Sequence, residues 1–171
     1  MRATLYVIDT PAPGRLATMA RPRGGDRLAD NMAALRASGV DVLVSALCLD
    51  ERKQLELLAD ADQARAAGLE FVSFPIVDRD VPTDAVTAEA GRLADRLAGD
   101  VRAGRFVVTH CWAGIGRSSI LAGTVLLRLG LTPTEAWVRI RAARGLPVPD
   151  NPIQEAWLHT FATTSPRSPR S

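Results

Sequence analysis

The chain is poor in cysteine, lysine and aromatic residues, and each shortage narrows what it can be. Two cysteines, Cys48 and Cys111, in 171 residues are too few for a secreted disulfide scaffold. Neither lies in a C-x-x-C pair of the kind that binds zinc or runs thioredoxin-like exchange, which leaves a reactive thiol open. Lys53 is the only lysine; the other basic residues are arginines scattered among acidic neighbours, and the net charge is +2. With no basic stripe, nucleic acid is not an expected partner. No apolar run approaches the roughly 18 residues of a membrane span. The N-terminus carries Asp9 and no cleavable signal pattern, so a cytoplasmic chain without a membrane partner is expected.

What is present suits helices layered on a sheet. Apolar residues make up 47% of the chain, but aromatics only 5%, which fits an α/β core better than an aromatic-rich β sandwich. Four β-branched or apolar runs, residues 5–8, 40–47, 69–76 and 105–109, read as strands. Between 83 and 103 the positions Val86, Ala90, Leu93, Leu97 and Val101 step by three or four, marking one amphipathic helix. Residues 115–129 are apolar nearly all round and predict a central, covered helix. Thr132, Pro133 and Glu135 form a capping-box signature, with Gly145 as the stop; Asn151, Pro152 and Gln154 repeat it for a last helix. These signals predict a single domain over residues 1–163, followed by a disordered tail at 164–171. A monomer is expected.

The chemistry concentrates in Thr109, His110, Cys111, Trp112, Ala113, Gly114, Ile115, Gly116, Arg117 and Ser118, a strand end, a glycine-bearing loop and a helix start. N–H groups of such a loop converge on one point together with the open N–H groups of the first helical turn, which makes an anion site. Converging dipoles and a guanidinium favour a thiolate at Cys111, a nucleophile. Arg117, six residues on, can lay its planar fork on two phosphate oxygens, which lysine cannot imitate.

His110, Cys111, Arg117 and Ser118 form H-C-x5-R-S, which resembles the signature of the protein tyrosine and dual-specificity phosphatase superfamily. Residues 41–51 resemble the second-strand region of its small members and 74–82 their acid loop, so the likeness spans roughly residues 20–160. It implies an α/β fold with a central, mostly parallel sheet of about four to five strands and helices on both faces. It implies Cys111 as nucleophile through a phosphocysteine, with Trp112, Ala113, Gly114, Ile115, Gly116 and Arg117 around the phosphate and no metal or other cofactor. The family's general acid lies four positions before a proline, which selects Asp78 ahead of Pro82, with Asp80 as the fallback. By the same likeness His110 orders the loop and Ser118 stabilises the thiolate. Gln154 stands where some members position water, and its spacing from Asn151 equally explains it as a cap.

Plainer readings stand beside these. Cys48 ends an apolar run and reads as core, with a redox partnership to Cys111 as the sharper alternative. His159 reads as a surface residue, and a solvated loop accounts for Arg21 and Arg23. A Walker loop fails because Arg117 stands where Lys is needed, and a dinucleotide fingerprint fails because Ser119 replaces the third glycine. Phosphorylated protein is the favoured substrate, phosphotyrosine above all, because Trp112, Ala113 and Ile115 are neutral where phosphoinositide-type relatives carry basic residues. The chain is too short for the deep phosphotyrosine-recognition loop of the large receptor-type relatives, so phosphoserine and phosphothreonine stay open. The alternatives are a phosphatase of a phosphoinositide or other small phosphomonoester, and a non-catalytic phosphate-binding module.

Overall fold

The computed structural model describes residues 3–165. Five strands form one sheet: β1 (Tyr6–Ile8), β2 (Arg15–Met19), β3 (Val42–Ser45), β4 (Glu70–Ser73) and β5 (Phe106–His110), in the order β1-β2-β5-β3-β4. Only β1 runs antiparallel to its neighbour; the other three pairings are parallel. The expected mostly parallel α/β architecture is present.

Side chains alternate across the sheet with the strand period of two. Leu16, Val42, Val44 and Val107 enter one core, beneath α4 (Thr87–Arg102), α5 (Arg117–Arg128), α6 (Pro133–Arg144) and α7 (Pro152–Thr164). Ala17, Met19, Leu43, Phe106 and Val108 enter the other, beneath α1 (Leu28–Ala37) and α3 (Asp60–Ala66). A short helix, α2 (Leu49–Gln54), follows β3. All twelve residues of α5 are buried, its polar Arg117, Ser118, Ser119, Thr124 and Arg128 included, as expected of a central, covered helix.

Several boundaries differ from the sequence expectation. β2 has no counterpart among the four expected strands: Arg15, Leu16, Ala17, Thr18 and Met19 carry no β-branched run and follow closely on Pro13. Its pairing with β5, from Arg15 opposite Phe106 to Met19 opposite His110, makes it a strand, a tertiary effect that local propensity does not show. The helix expected over 115–129 starts only at Arg117, because Ile115 and Gly116 belong to the loop before it. The helix expected from 83 opens with a 3-10 turn, Asp84–Val86, before α4. At the far end α7 continues to Thr164, and Arg128 donates to Ser165 through Nη1 to O at 2.6 Å and Nη2 to Oγ at 2.7 Å. α7 and the Ser165 contact thus run past residue 163, after which the expected tail begins; 166–171, the rest of that tail, lie outside the described residues. Among the described residues no helix is long and apolar enough to cross a membrane.

Candidate active site

β5 is flanked on both sides, and from its carboxyl end the chain turns through 111–116 into α5. Open parallel sheets present ligand crevices at such ends. Two glycines set the loop's course. Gly114 has φ of 71°, and a Cβ there would stand 2.6 Å from the carbonyl carbon of Met19, so only glycine lets the loop close against the end of β2. A Cβ on Gly116 would collide with the Asp150 carboxylate and come within 2.7 Å of Gln154 Oε1. Among the described residues, none of the backbone N–H groups of Ala113, Gly114 and Ile115 has a protein acceptor.

Cys111 is 3% exposed at the floor of this loop, with its Sγ 3.4 Å from Ser118 Oγ. Thr109 Oγ1 donates to Ser118 O at 2.8 Å, tying the first turn of α5 back to β5. His110 is fully buried. Burial drives its pKa down to about 4, assisted by the charges of Arg117 and Arg52 and opposed by its contact with Cys111 O. The ring is therefore neutral near pH 7, and Nδ1, 3.3 Å from Cys111 O, is the nitrogen placed to donate.

Arg117 is 1% exposed, and acceptors face both of its terminal nitrogens. Nη1 donates to Glu51 Oε2 at 2.7 Å and to Ile76 O at 3.0 Å, Nη2 donates to Glu51 Oε1 at 2.9 Å, and Asp78 Oδ1 lies 3.0 Å from Nη2. Burial works against the charged guanidinium, but the Glu51 bonds and the nearby Cys111 and Asp78 outweigh it and raise the pKa. Glu51 shows the mirror image: burial pushes its carboxyl up, and Arg117 together with the N–H of Cys48 brings it below the usual range. Sequence reasoning did not single out Glu51. Its signal was faint: it sits three residues into α2, where Cys48 N–H donates to Oε2 at 2.9 Å as in a capping box.

The two acidic candidates part company. Asp78 is 61% exposed and faces the loop. The next residue, Arg79, holds a left-handed φ of 61°, and its carbonyl accepts from Asn151 Nδ2 at 2.8 Å, which fixes the turn that presents Asp78. Asp80 is turned to its own backbone, its Oδ1 accepting from Val81 N at 2.8 Å. Gln154 is fully buried; its N–H donates to Asn151 Oδ1 at 3.0 Å, so half of the expected capping box forms. The other half does not, because its amide bridges two loops instead, accepting from Asp150 N at 3.0 Å and donating to Asp80 O at 3.1 Å.

Cys111, Trp112, Gly116 and Arg117, with Asp78 and Asp150 opposite, line a cavity of about 170 Å³. Asp150 is a second carboxylate at this cavity that the sequence did not single out. Trp112 and Asp78 also border a neighbouring cavity of about 520 Å³ whose other walls include Cys48, Gln54 and Val77. Cys48 is half-buried, with its Sγ 3.4 Å from Ile76 O; burial first, and then the Glu51 charge, push its thiol up. Among the described residues no group of three or more His, Cys, Asp or Glu side chains is arranged to hold a metal ion.

A family model described as "Tc-R-P: Polymorphic toxin system, DSP-PTPase phosphatase" matches residues 17–131. No curated protein matches the sequence. Kinase associated phosphatase with its catalytic-site cysteine replaced by serine is 19% identical at a TM-score of 0.86, with 96% of this chain and 97% of that chain covered. Tk-PTP in its active form is 24% identical at a TM-score of 0.72, covering 94% and 97%. PTPMT1 in complex with PI(5)P is 20% identical at a TM-score of 0.72, covering 91% and 94%. At these identities the structures show a shared fold.

Proposed function

We propose, because this chain belongs to the DSP-PTPase phosphatase family, that it hydrolyses phosphomonoesters of protein, phosphotyrosine foremost, through a phosphocysteine at Cys111 and without a metal. One observation carries the reading: a single cavity at the end of β5 brings together Cys111, Arg117 and Asp78. These are a nucleophile, a cation for the phosphoryl oxygens and an exposed carboxyl.

In the first step Cys111 Sγ attacks phosphorus, the S–P bond forms and the P–O bond to the leaving group breaks. Asp78, as the acid, gives its proton to the departing oxygen. Arg117 and the loop N–H groups hold the equatorial oxygens as charge shifts onto them. In the second step a water loses a proton to the Asp78 carboxylate and attacks phosphorus. The S–P bond then breaks, inorganic phosphate leaves, and the Ser118 hydroxyl, 3.4 Å from Sγ, is placed to donate to the returning thiolate. The adjoining cavity, walled by Trp112 and Val77, offers an apolar surface to an aryl leaving group.

The test is turnover of a phosphotyrosine peptide in EDTA by the wild type, Cys111→Ser and Asp78→Ala. Metal-independent turnover, abolished in the first variant and strongly reduced in the second, is expected. A wild type inactive on both peptide and small aryl phosphate sinks the proposal.

A further inference from the structure

Two arginines meet the catalytic loop from behind. Arg21 lies just past β2; its backbone N–H and its Nη1 both donate to Trp112 O, at 3.2 and 3.3 Å. Its guanidinium carbon stands 4.9 Å from the centre of the Trp112 ring. Arg144, the last residue of α6, comes from another side of the loop. Its Nε donates to Gly114 O at 3.1 Å and its Nη2 to Ala113 O at 3.4 Å, with the guanidinium 4.0 Å from the centre of the Tyr6 ring. Among the described residues neither arginine has a carboxylate within ion-pair distance.

Three consecutive carbonyls, those of residues 112, 113 and 114, are thus bound by cations. Each carbonyl shares a resonance-coupled peptide unit with the N–H of the following residue, so these are the units that supply the free N–H groups of Ala113, Gly114 and Ile115. A cation on the oxygen draws electron density toward it and leaves the N–H more positive, the same polarisation that strengthens chains of hydrogen bonds by about 10–30% per bond. Filling the carbonyls needs only a donor. Two uncompensated charges add a field that favours an anion on the other side of the loop.

We propose that Arg21 and Arg144 are positioning residues for the phosphoryl-transfer reaction: they hold the loop from outside and, through its peptide groups, strengthen its grip on an oxyanion at Cys111. The proposal rests on the phosphatase reading of the cavity. Arg21 is solvent-exposed, as its loop position predicts, and the ring it contacts, Trp112, forms the wall shared by the two cavities.

The measurement is Cys111 carboxymethylation of the full chain near pH 7, followed by mass spectrometry, with anionic iodoacetate and neutral iodoacetamide compared. Protection by inorganic phosphate is titrated in parallel. Arg21→Gln and Arg144→Gln keep an amide donor and remove the charge, whereas Arg21→Lys and Arg144→Lys keep the charge. Each Gln variant should lower the iodoacetate-to-iodoacetamide rate ratio by about threefold or more and raise the phosphate concentration for half-protection by a similar factor. Each Lys variant should recover most of both. Gln variants that match a phosphate-protected wild type in both readouts overturn the proposal, even where turnover has fallen. A wild type that phosphate does not protect overturns the phosphatase reading and the proposal with it. Should Arg144→Gln fail to fold, Arg21→Gln decides alone.

Discussion

Glu51 grips both terminal nitrogens of Arg117, at 2.7 and 2.9 Å, from the start of a helix 66 positions earlier in the chain. The proposed phosphate-binding cation, at the start of α5, is thus oriented by a residue from a remote segment. Removing the carboxylate strands a guanidinium that is 1% exposed, and breaking one side of a buried pair costs about 3–5 kcal/mol. Glu51→Ala should lower stability on that scale and reduce kcat/KM by about 100-fold or more through misplacement of Arg117. Glu51→Gln, which keeps one acceptor, should fall between. Urea unfolding and steady-state kinetics on an aryl phosphate read the two effects, and a Glu51→Ala enzyme with wild-type kinetics would contradict the orienting role.

His110 gives the protein an acid sensitivity of known sign. The unfolded chain takes up this proton near the ordinary value of 6.5, while the buried ring resists it down to about 4. Between those values the unfolded state binds more protons, so stability is full above about pH 6.5 and declines as pH falls toward 4, by about 3 kcal/mol in all. Unfolding free energies measured across this window should flatten in His110→Asn. An unchanged slope in that variant would show the decline to come from other groups.

Asp78 and Asp80 should separate by leaving group. Asp78→Asn is expected to lower kcat by about 100- to 10,000-fold, the range for loss of a positioned acid, and to hurt phenyl phosphate more than nitrophenyl phosphate, whose leaving oxygen needs less protonation. Asp80→Asn should stay within about threefold for both, since its carboxylate serves Val81 N. A profile in which Asp80 carries the leaving-group dependence would reverse the assignment.

Gln154 joins the loop after α6 to the acid loop through one buried amide. Gln154→Leu leaves Asp150 N and Asp80 O without that partner, at about 1–3 kcal/mol for a buried unsatisfied group. The matching kinetic expectation is a fall in kcat with little change in phosphate inhibition, because the acid loop loosens while Cys111 and Arg117 stay in place. Equal losses in both would place Gln154 at the phosphate itself.

What the sequence could show followed the range of each signal. Cys111, Arg117 and Ser118 lie within one contiguous strand, loop and helix start, so their spacing already implied their convergence. The largely apolar run from Ile120 to Leu127 likewise announced the burial of α5. Asp150 reaches the cavity at Cys111, and Glu51 the Arg117 guanidinium, from remote segments, and nothing local marks a carboxylate as pointing inward. Arg21 is solvated as its sequence suggests, but its bond to Trp112 O, 91 residues away, was not legible for the same reason. β2 was missed because its argument for being a strand is its pairing with β1 and β5, not its local sequence. The mixed character of residues 74–82, part turn and part buried apolar chain, hid which of its two exposed aspartates borders the cavity at Cys111; Asp78 does, while Asp80 accepts from Val81 N.

The insertion of β5 between β2 and β3 also bears on how the protein becomes active. The loop that carries Cys111 closes against the backbone of Met19 through Gly114, and its supporting strand pairs with residues 15–19 on one side and 42–45 on the other. Neither half of the chain can build the cradle alone, and the pairings that complete it are among the most distant in sequence, which makes them slow to form. A fragment that lacks residues 15–19 or 42–45 therefore carries the cysteine without its cradle, and the proposed reactivity depends on the finished sheet.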